Sequence, residues 1–484
     1  MNGAAAAPLT PVAGRVPTRL ALANGVGSVA YGIKDNGFST FLLLFYNQVL
    51  GMDARLVSLA LLIALVFDGL IDPIVGHISD RTSTRWGRRL PYLYVAPLFL
   101  GGFWVLLWSP PEGAASFPLL LASAIAVRAA VAFCEVPSAA LVAEITRDYD
   151  ERTRLTRIRY LCAWGGGLLM LLLAYGVFRP KAMLAREGYQ SYGIAGAILM
   201  VATVLLSAWG QHKWVAHRPE EKPPARAGIG GAFSEIRESL THPAFVVLMF
   251  AIAAAITSQG ITFSISNYLY LFVWKFPPLA LQLYPLLLFG SVVGSFILVG
   301  PLQHRFGKRE TAAVAAVVGM VFWVTPLTLR HFGLWWPDGS TPSLAAMFAA
   351  TFFSNMFSVI TAIALSSMVA DVVEASQEET GRRSEGTFAA GAFFASKCST
   401  GLGIFITGFL LSWAGMPNGA APGSVPEDIV DRLAMTYAAC VFAFAVLLVL
   451  VVRHFPITRE GHEARLALLG EAARADPEAT GHHP

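Results

Sequence analysis

Long apolar stretches recur along the chain and are separated by short polar breaks. A helix rises about 1.5 Å per residue, so a crossing of the bilayer takes about 20 residues. The pattern therefore predicts an all-α polytopic membrane protein of about twelve spans. We place them at residues 21–50, 54–79, 91–109, 116–145, 157–178, 191–213, 243–274, 279–302, 310–329, 343–374, 386–414 and 429–453.

One long polar stretch, residues 214–242, divides these spans into two sets of six. The resulting organisation is a segment 1–20, an N-terminal six-helix bundle 21–213, a linker 214–242, a C-terminal six-helix bundle 243–453 and a tail 454–484. Within the linker, Phe233, Ile236 and Leu240 share one helical face. This spacing predicts a short helix on the membrane surface.

A short internal repeat supports the division into halves. The loop after the second span reads RWGRR at 85–89, and the loop after the eighth reads RFGKR at 305–309. Either loop alone could be a basic membrane anchor, but matched loops in two sets of six spans are typical of a major facilitator fold. We assign these loops and the acid before the first to conformational gating, and the residues are Asp80, Arg85, Arg88, Arg89, Arg305 and Lys308.

Basic residues predict the orientation of the chain in the membrane. The loops after the second, fourth, eighth and tenth spans, counted with the first turns of the helices that follow them, hold 14 Lys/Arg, against 7 on the other side, although residues 179–190 run against this trend. Positive loops stay in the cytoplasm. We therefore expect a plasma membrane protein, in the bacterial inner membrane, with both termini and the linker cytoplasmic, the first span serving in place of a cleavable signal.

Composition excludes several other classes of protein. The chain is 55% hydrophobic and 14% charged, whereas soluble proteins carry roughly 25% charged residues. The basic residues lie in short clusters, which makes nucleic acid an unexpected partner. The four cysteines are scattered singly and are read as packing residues. Motifs of a membrane enzyme are absent from the sequence, so we expect no enzymatic activity and no cofactor.

Seven ionisable residues lie within the predicted spans. Each costs on the order of 2.5–3.5 kcal/mol at the bilayer centre unless it is paired or faces a cavity. Asp68 and Asp72 are four residues apart, and carboxylates so close repel each other unless a cation or proton lies between them. This spacing predicts a coupling-ion site. The seven are Lys34, Asp35, Asp68, Asp72, Arg128, Glu135 and Lys397.

Simpler structural interpretations remain open for several of these residues. Lys34 and Asp35 could form a pair at a helix end, Asp72 could support a kink at Pro73, and Lys397 could extend to the membrane interface. Arg128 could serve only as a structural partner of Glu135, seven residues away on the same face. Four acids and three bases nevertheless suit one polar cavity that a single positive charge enters and leaves.

These residues and loops resemble the glycoside–pentoside–hexuronide:cation symporters, whose best-known member is the melibiose permease. The resemblance covers nearly the whole chain and is strongest at YGIKD (31–35), FDGLIDPIVGHISDRTSTRWGRRLP (67–91), EVPSAALVAEITRDYDERTRLTRIR (135–159), VADVVEASQEETGRRSEG (369–386) and FFASKCSTGLG (393–403).

The resemblance implies a role for each matched position. Asp68 and Asp72 match the cation-site carboxylates, which would bind H+ or Na+. Glu135 matches an acid shared between cation and sugar. Lys34, Asp35 and Arg159 match substrate-binding residues, and Lys397 matches the lysine that organises the acids. Arg128 has no such counterpart, and we include it among the substrate-binding candidates.

Three positions depart from the pattern of the melibiose permease. Ala139 stands where that protein has Trp, Ala132 where it has Thr, and Arg128 where it has Gly. We therefore expect a secondary active transporter that is a monomer in the lipid membrane and moves a sugar, glycoside or related solute by cation-coupled symport. The alternative is an uncoupled facilitator, or a carrier of an anionic or lysophospholipid-like solute, in which Arg128 replaces the coupling cation.

Overall fold

The computed structural model describes residues 15–178, 184–216, 243–380 and 385–456. Twelve helical spans run through these residues, and the predicted fold is confirmed. α1 covers residues 18–49 and is followed by α2 (Ala54–Arg81), α3 (Leu90–Trp108), α4 (Phe117–Ile145), α5 (Tyr149–Phe178) and α6 (Arg186–Val215). The second half contains α7 (Pro243–Val273), α8 (Pro278–Phe306), α9 (Lys308–His331), α10 (Thr341–Thr380), α11 (Glu385–Ala414) and α12 (Glu427–Arg453).

Some helices extend beyond the apolar stretches that predict them. α5 begins at Tyr149 rather than at 157, because the Asp148 side chain accepts a hydrogen bond from the backbone N–H of Glu151 and caps the helix. Arg159 therefore lies in the third turn of α5 and does not open the helix. The predicted surface helix at Phe233, Ile236 and Leu240 lies outside the described residues.

α1 is the one described span that is broken into several short pieces. α-Helical segments alternate with π-helical turns at Gly37–Phe41 and Phe45–Val49. The first turn directly follows Lys34 and Asp35. A π turn shifts the helical register, and such turns frequently occur at functional sites. α7, which occupies the same place in the second half, also ends in a π turn, at Leu269–Val273.

The two repeated loops share the backbone conformation of their glycine. Gly87 and Gly307 have φ values of 85° and 83°, a region that favours glycine because it has no Cβ. The arginine two residues before each glycine lies over an aromatic ring, Arg85 over Trp86 at 5.1 Å and Arg305 over Phe306 at 5.4 Å. The two motifs therefore share these two features, but residues 85–89 lie in a loop between α2 and α3, whereas Gly307 alone separates α8 from α9.

The two halves meet along α2 and α11, and also where the C-terminal ends of α1 and α7 come together. These ends lie on the side of the protein away from the linker, and we call that side the far side. α11 approaches α2 closely because Gly408 has no side chain, since a Cβ there would lie 2.6 Å from the carbonyl oxygen of Ala54. At the far side, Asn47 donates to Asn418 Oδ1 at 2.7 Å and accepts from the Tyr268 hydroxyl at 2.9 Å. Uncharged hydrogen bonds therefore join the halves there.

Candidate functional site

The seven ionisable residues predicted within the spans come together in one group, which we call the charged cluster. α1, α2 and α4 contribute six of them, and α11 contributes Lys397. The cluster consists of Lys34, Asp35, Asp68, Asp72, Arg128, Glu135 and Lys397.

Lys397 links the two halves through ion pairs. Its Nζ atom lies 2.5 Å from Asp72 Oδ2 and 3.0 Å from Asp68 Oδ2. The ammonium group therefore occupies the position between two carboxylates where the sequence predicts a cation. Lys397 does not extend to the membrane interface, and Asp72 does more than support the kink at Pro73.

Arg128 is buried in the cluster, and it pairs with acids of α1 and α2 and not with Glu135 of its own helix. Its Nη1 atom lies 3.2 Å from Asp68 Oδ2 and 3.8 Å from Asp35 Oδ1, and its guanidinium lies 4.1 Å from the centre of the Phe38 ring. The interpretation of Arg128 as a partner of Glu135 alone is wrong. Arg128 and Glu135 lie on one face of α4, but Arg128 pairs with Asp68 and Glu135 pairs with Lys34.

Lys34 holds the remaining acids of the cluster. Its Nζ atom lies 3.0 Å from Asp35 Oδ1 and 3.4 Å from Glu135 Oε2, so it joins α1 to α4. Its side chain is only 3% exposed. A pair at a helix end near the membrane surface does not describe this geometry.

Exposure divides the charged cluster into a buried part and an open edge. The side chains of Lys34, Arg128 and Asp68 are 2–3% exposed, whereas those of Asp35 and Glu135 are 61% and 39% exposed. Buried charges remain stable only when paired, as these are. The exposed carboxylates are the groups that a solute or an incoming cation can reach first.

Arg159 stands beside the cluster and is held by another group. Its Nη1 atom donates to Ser138 Oγ at 2.7 Å and to the Ser138 carbonyl oxygen at 3.2 Å, which fixes α5 against α4. Ser138 is three residues from Glu135 on α4, so Arg159 and Glu135 lie on one side of that helix. The spacing permits both to contact one solute.

Four of the six residues assigned to gating, Asp80, Arg88, Arg89 and Lys308, form ion pairs at the linker side of the two halves. Arg89 lies 2.7 Å from both Asp80 and Glu144, and Arg88 lies 3.0 Å from Glu144. In the second half, Lys308 lies 2.5 Å from Asp371. In both halves a basic residue of the repeated loop binds an acid near the end of the fourth helix of that half.

Sequence reasoning missed four residues that complete these groups. Each of them contacts a predicted residue that lies on a different helix or loop, and the four are Phe38, Ser138, Glu144 and Asp371. Glu144 and Asp371 lie inside the stretches that carry the family resemblance, at the ends of the spans that precede basic loops. An acid at such a junction is the signal that could have identified them.

Comparison with known proteins agrees with this architecture. The family model described as MFS/sugar transport protein matches residues 23–459, and the chain belongs to that family. A putative 2,3-dihydroxypropane-1-sulfonate exporter of Salmonella typhimurium is 28% identical over 84% of this chain and 86% of its own length. A putative glycoside/cation symporter of Escherichia coli, YagG, is 24% identical over 85% and 86%.

Solved structures share the fold. A D-xylose-proton symporter superposes with a TM-score of 0.64 at 14% identity, over 92% of this chain and 99% of that one. The matching family model and the relatives in sequence, and not the shared fold, identify the chain as a secondary transporter of the glycoside–pentoside–hexuronide symporter group and not as an enzyme. Its apolar helices and its relatives identify a multi-pass protein of the bacterial inner membrane.

Proposed function

We propose that this carrier moves a small hydroxylated solute of the sugar or glycoside class together with one cation, and that the cation is a proton. The charge of the cluster is the observation that carries the proposal. Four carboxylates face three basic groups within a few ångströms of one another. One further positive charge would balance the cluster, and a buried imbalance is costly.

Asp72 is the carboxylate through which a proton would change the conformation. Protonation would remove the charge that attracts Lys397, and that contact crosses between the halves. Loosening it favours a state in which α2 and α11 have moved relative to each other. A cation that binds one state better than the other shifts the equilibrium by that difference in affinity, and this is coupling in energetic terms.

Several features of the cluster favour a proton over sodium. Asp68 Oδ2 already has Arg128 at 3.2 Å and Lys397 at 3.0 Å, so a third cation would meet two like charges. Ala132 also lacks the hydroxyl that the melibiose permease offers to sodium at this position. Sodium at Asp68 and Asp72 would require Lys397 to leave, whereas a proton binds directly to an oxygen.

The open edge of the cluster suits a hydroxylated solute. The exposed carboxylates of Asp35 and Glu135 can accept hydrogen bonds from hydroxyl groups, and the Arg159 guanidinium can donate to them. Alternating exposure of such a site through the rocking of two halves is the transport mode of this fold.

A second candidate function is transport of an anionic solute without a coupling cation. The Nε atom of Arg128 is buried and has no hydrogen-bond partner among the residues that the structure describes, although the side chain is paired through Nη1. A sulfonate or carboxylate could use such a donor. The relative named for 2,3-dihydroxypropane-1-sulfonate favours this alternative, while the net negative charge of the cluster opposes it.

Uptake into proteoliposomes tests the two candidates. Radiolabelled glucose, xylose, glucuronate and 2,3-dihydroxypropane-1-sulfonate would each be offered under a pH gradient, a sodium gradient or no gradient. We expect a neutral sugar to accumulate above equilibrium only with the pH gradient. Equilibration of the sulfonate, unaffected by either gradient, would instead support the anion facilitator.

A matched variant controls for leakage and for loss of folding. Asp72→Asn removes one charge but keeps an oxygen acceptor, so we expect exchange of solute between the two faces with no accumulation. Sodium-driven accumulation in the unmodified protein would contradict the choice of proton. Failure of all four solutes to move would contradict the proposed solute class.

A further inference from the structure

The C-terminal half encloses a cavity of about 510 Å³ that we call the C-half cavity. Its volume falls in the range of about 300–1,000 Å³ that is common for small-molecule sites. Side chains from α7 to α12 form its walls, and most are apolar; the largest include Ile252, Phe263, Tyr284, Trp323, Leu365 and Phe393.

Polar side chains, most of them Ser or Thr, interrupt this apolar wall at about a third of its positions. Gln259 on α7 and Asn355 and Ser358 on α10 also line the cavity. Asn355 Nδ2 donates to Ser291 Oγ at 2.6 Å, so its amide has a fixed orientation. Apolar walls with a small number of oriented polar groups are typical of sites that bind organic ligands.

The C-half cavity is accessible rather than sealed. Ala362, Ser366 and Ala370 lie along the wall of the cavity on α10, and all three are exposed. Their spacing of four residues places them on one face of the helix. Other helices therefore do not cover this wall of the cavity.

The cavity adjoins the charged cluster along α11. Phe393 and Ser396 line the cavity, and Lys397, the next residue, carries the ion pairs to α2. Residues 393 and 397 are about one helical turn apart and lie on neighbouring parts of the helix surface. Lys397 thus stands at the boundary between an apolar region in one half and the acids of the other.

We infer that the transported solute is amphipathic: its hydroxylated part binds at the open edge of the charged cluster, and an apolar aryl or alkyl substituent enters the C-half cavity. This inference rests on the proposed function. The inference depends on a difference between the two halves. The first half supplies six of the seven clustered charges, and the second supplies an apolar cavity of ligand size. Transfer of an apolar group from water to such a wall is favourable.

Calorimetric titration of the full chain in lipid nanodiscs tests the inference with paired probes. Methyl, phenyl and hexyl β-glycosides of glucose, galactose, xylose and glucuronic acid would be compared, with empty nanodiscs to correct for partition into lipid. For the sugar that binds, we expect the phenyl and hexyl glycosides to bind about tenfold or more tightly than the methyl glycoside.

Two substitutions locate the effect. Ala362→Phe fills the C-half cavity, and we expect it to abolish the advantage of the phenyl and hexyl glycosides while methyl glycoside binding is unchanged. Ala349→Phe is the matched control, because Ala349 is exposed on α10 about 220° around the helix from Ala362. Ser366→Phe, on the same wall, provides a second variant if Ala362→Phe does not fold.

The outcomes separate the inference from the proposed function. If methyl glycosides bind and phenyl and hexyl glycosides bind no better, the inference is wrong and the proposed function stands. An advantage that survives both cavity-filling variants would place the apolar group elsewhere and also overturn the inference. If no glycoside of any kind binds, the proposed solute class fails and the inference fails with it.

Discussion

Lys397 on α11 lies 2.5 Å from Asp72 on α2, and this contact between Nζ and Oδ2 joins the two halves of the chain by opposite charges. On the far side, by contrast, neutral groups such as Asn47 and Asn418 join the halves. A change of protonation can therefore act on the mid-membrane contact while it leaves the far-side contacts unaffected. Substitutions at the two kinds of contact therefore test coupling and far-side opening separately.

Substitution of either aspartate should abolish accumulation of solute against a gradient. Asp68→Asn leaves Arg128 and Lys397 without their shared carboxylate, and disruption of a buried ion pair typically costs about 3–5 kcal/mol. Asp72 is more exposed, so Asp72→Asn should lower the melting temperature less. Gradient-driven uptake and thermal unfolding, measured on the same preparations, check both effects. Normal accumulation by both variants would exclude these carboxylates from coupling.

Loss of the far-side hydrogen bonds should favour opening on that side. Asn47→Ala removes the bonds to Asn418 and to the Tyr268 hydroxyl, and each such bond contributes about 0.5–1.5 kcal/mol. The loss of two, about 1–3 kcal/mol together, should therefore change the ratio of the two states by about 5- to 150-fold. Spin labels at exposed Ser116→Cys and Ala421→Cys, in a background without the native cysteines, would report a longer distance.

A matched control for this opening lies on the same helix. Asn24→Ala also removes an amide of α1, but the partner of Asn24 is Gln211 in the same half. It should leave the distance between the labels unchanged. Equal lengthening in both variants would mean that a general loosening of α1, and not the far-side contact, controls opening.

The linker-side ion pairs should control the rate of transport and not the affinity for solute. Arg88→Gln and Arg89→Gln release Glu144 at a helix junction remote from the cluster, so we expect slower turnover and an unchanged dissociation constant. Glu144→Gln should act in the same direction. Arg432→Gln is the control, since its exposed pair with Asp428 contributes little. Weaker equilibrium binding with normal turnover would contradict this assignment.

The sequence predicts the spans and the members of the charged cluster for a physical reason. A charge within an apolar span is costly, so those that occur are paired or face a cavity, and Asp68, Asp72 and Lys397 are identified by position alone. The π turns of α1 could not be predicted, because local backbone register depends on packing with other helices. The start of α5 at Tyr149 was not predicted, because its first two turns are polar and precede the apolar stretch.

Pairing within the cluster depends on which helices are neighbours, and one sequence does not provide that information. Helical spacing places Arg128 and Glu135 on one face, but whether each meets Asp68 or Lys34 depends on how α1 and α2 cross α4. Phe38 was missed for the same reason. The C-half cavity was missed because its walls on α10 alternate small apolar and polar residues that also suit ordinary helix packing.

Arg128→Gly is the substitution that best distinguishes the two candidate functions. The positively charged guanidinium lies 3.2 Å from Asp68, so it provides a counter-charge within the cluster. If that is its main role, its removal leaves Asp68 with Lys397 alone, and the variant should gain sodium-stimulated binding of a sugar. If it instead binds an anionic solute through its free Nε, the variant should lose affinity for the sulfonate and gain no response to sodium.

Addition of a hydroxyl should strengthen the first outcome. The double variant Arg128→Gly with Ala132→Thr restores two features of the melibiose permease, so its response to sodium should exceed that of the single variant. Ala132→Thr alone should have little effect, because Arg128 would still repel the ion. Binding of sugar and of sulfonate, each measured with and without sodium in all four proteins, completes the comparison. Strong sodium stimulation in the unmodified protein would contradict both roles, since a fixed cation beside Asp68 would then not exclude sodium from the site.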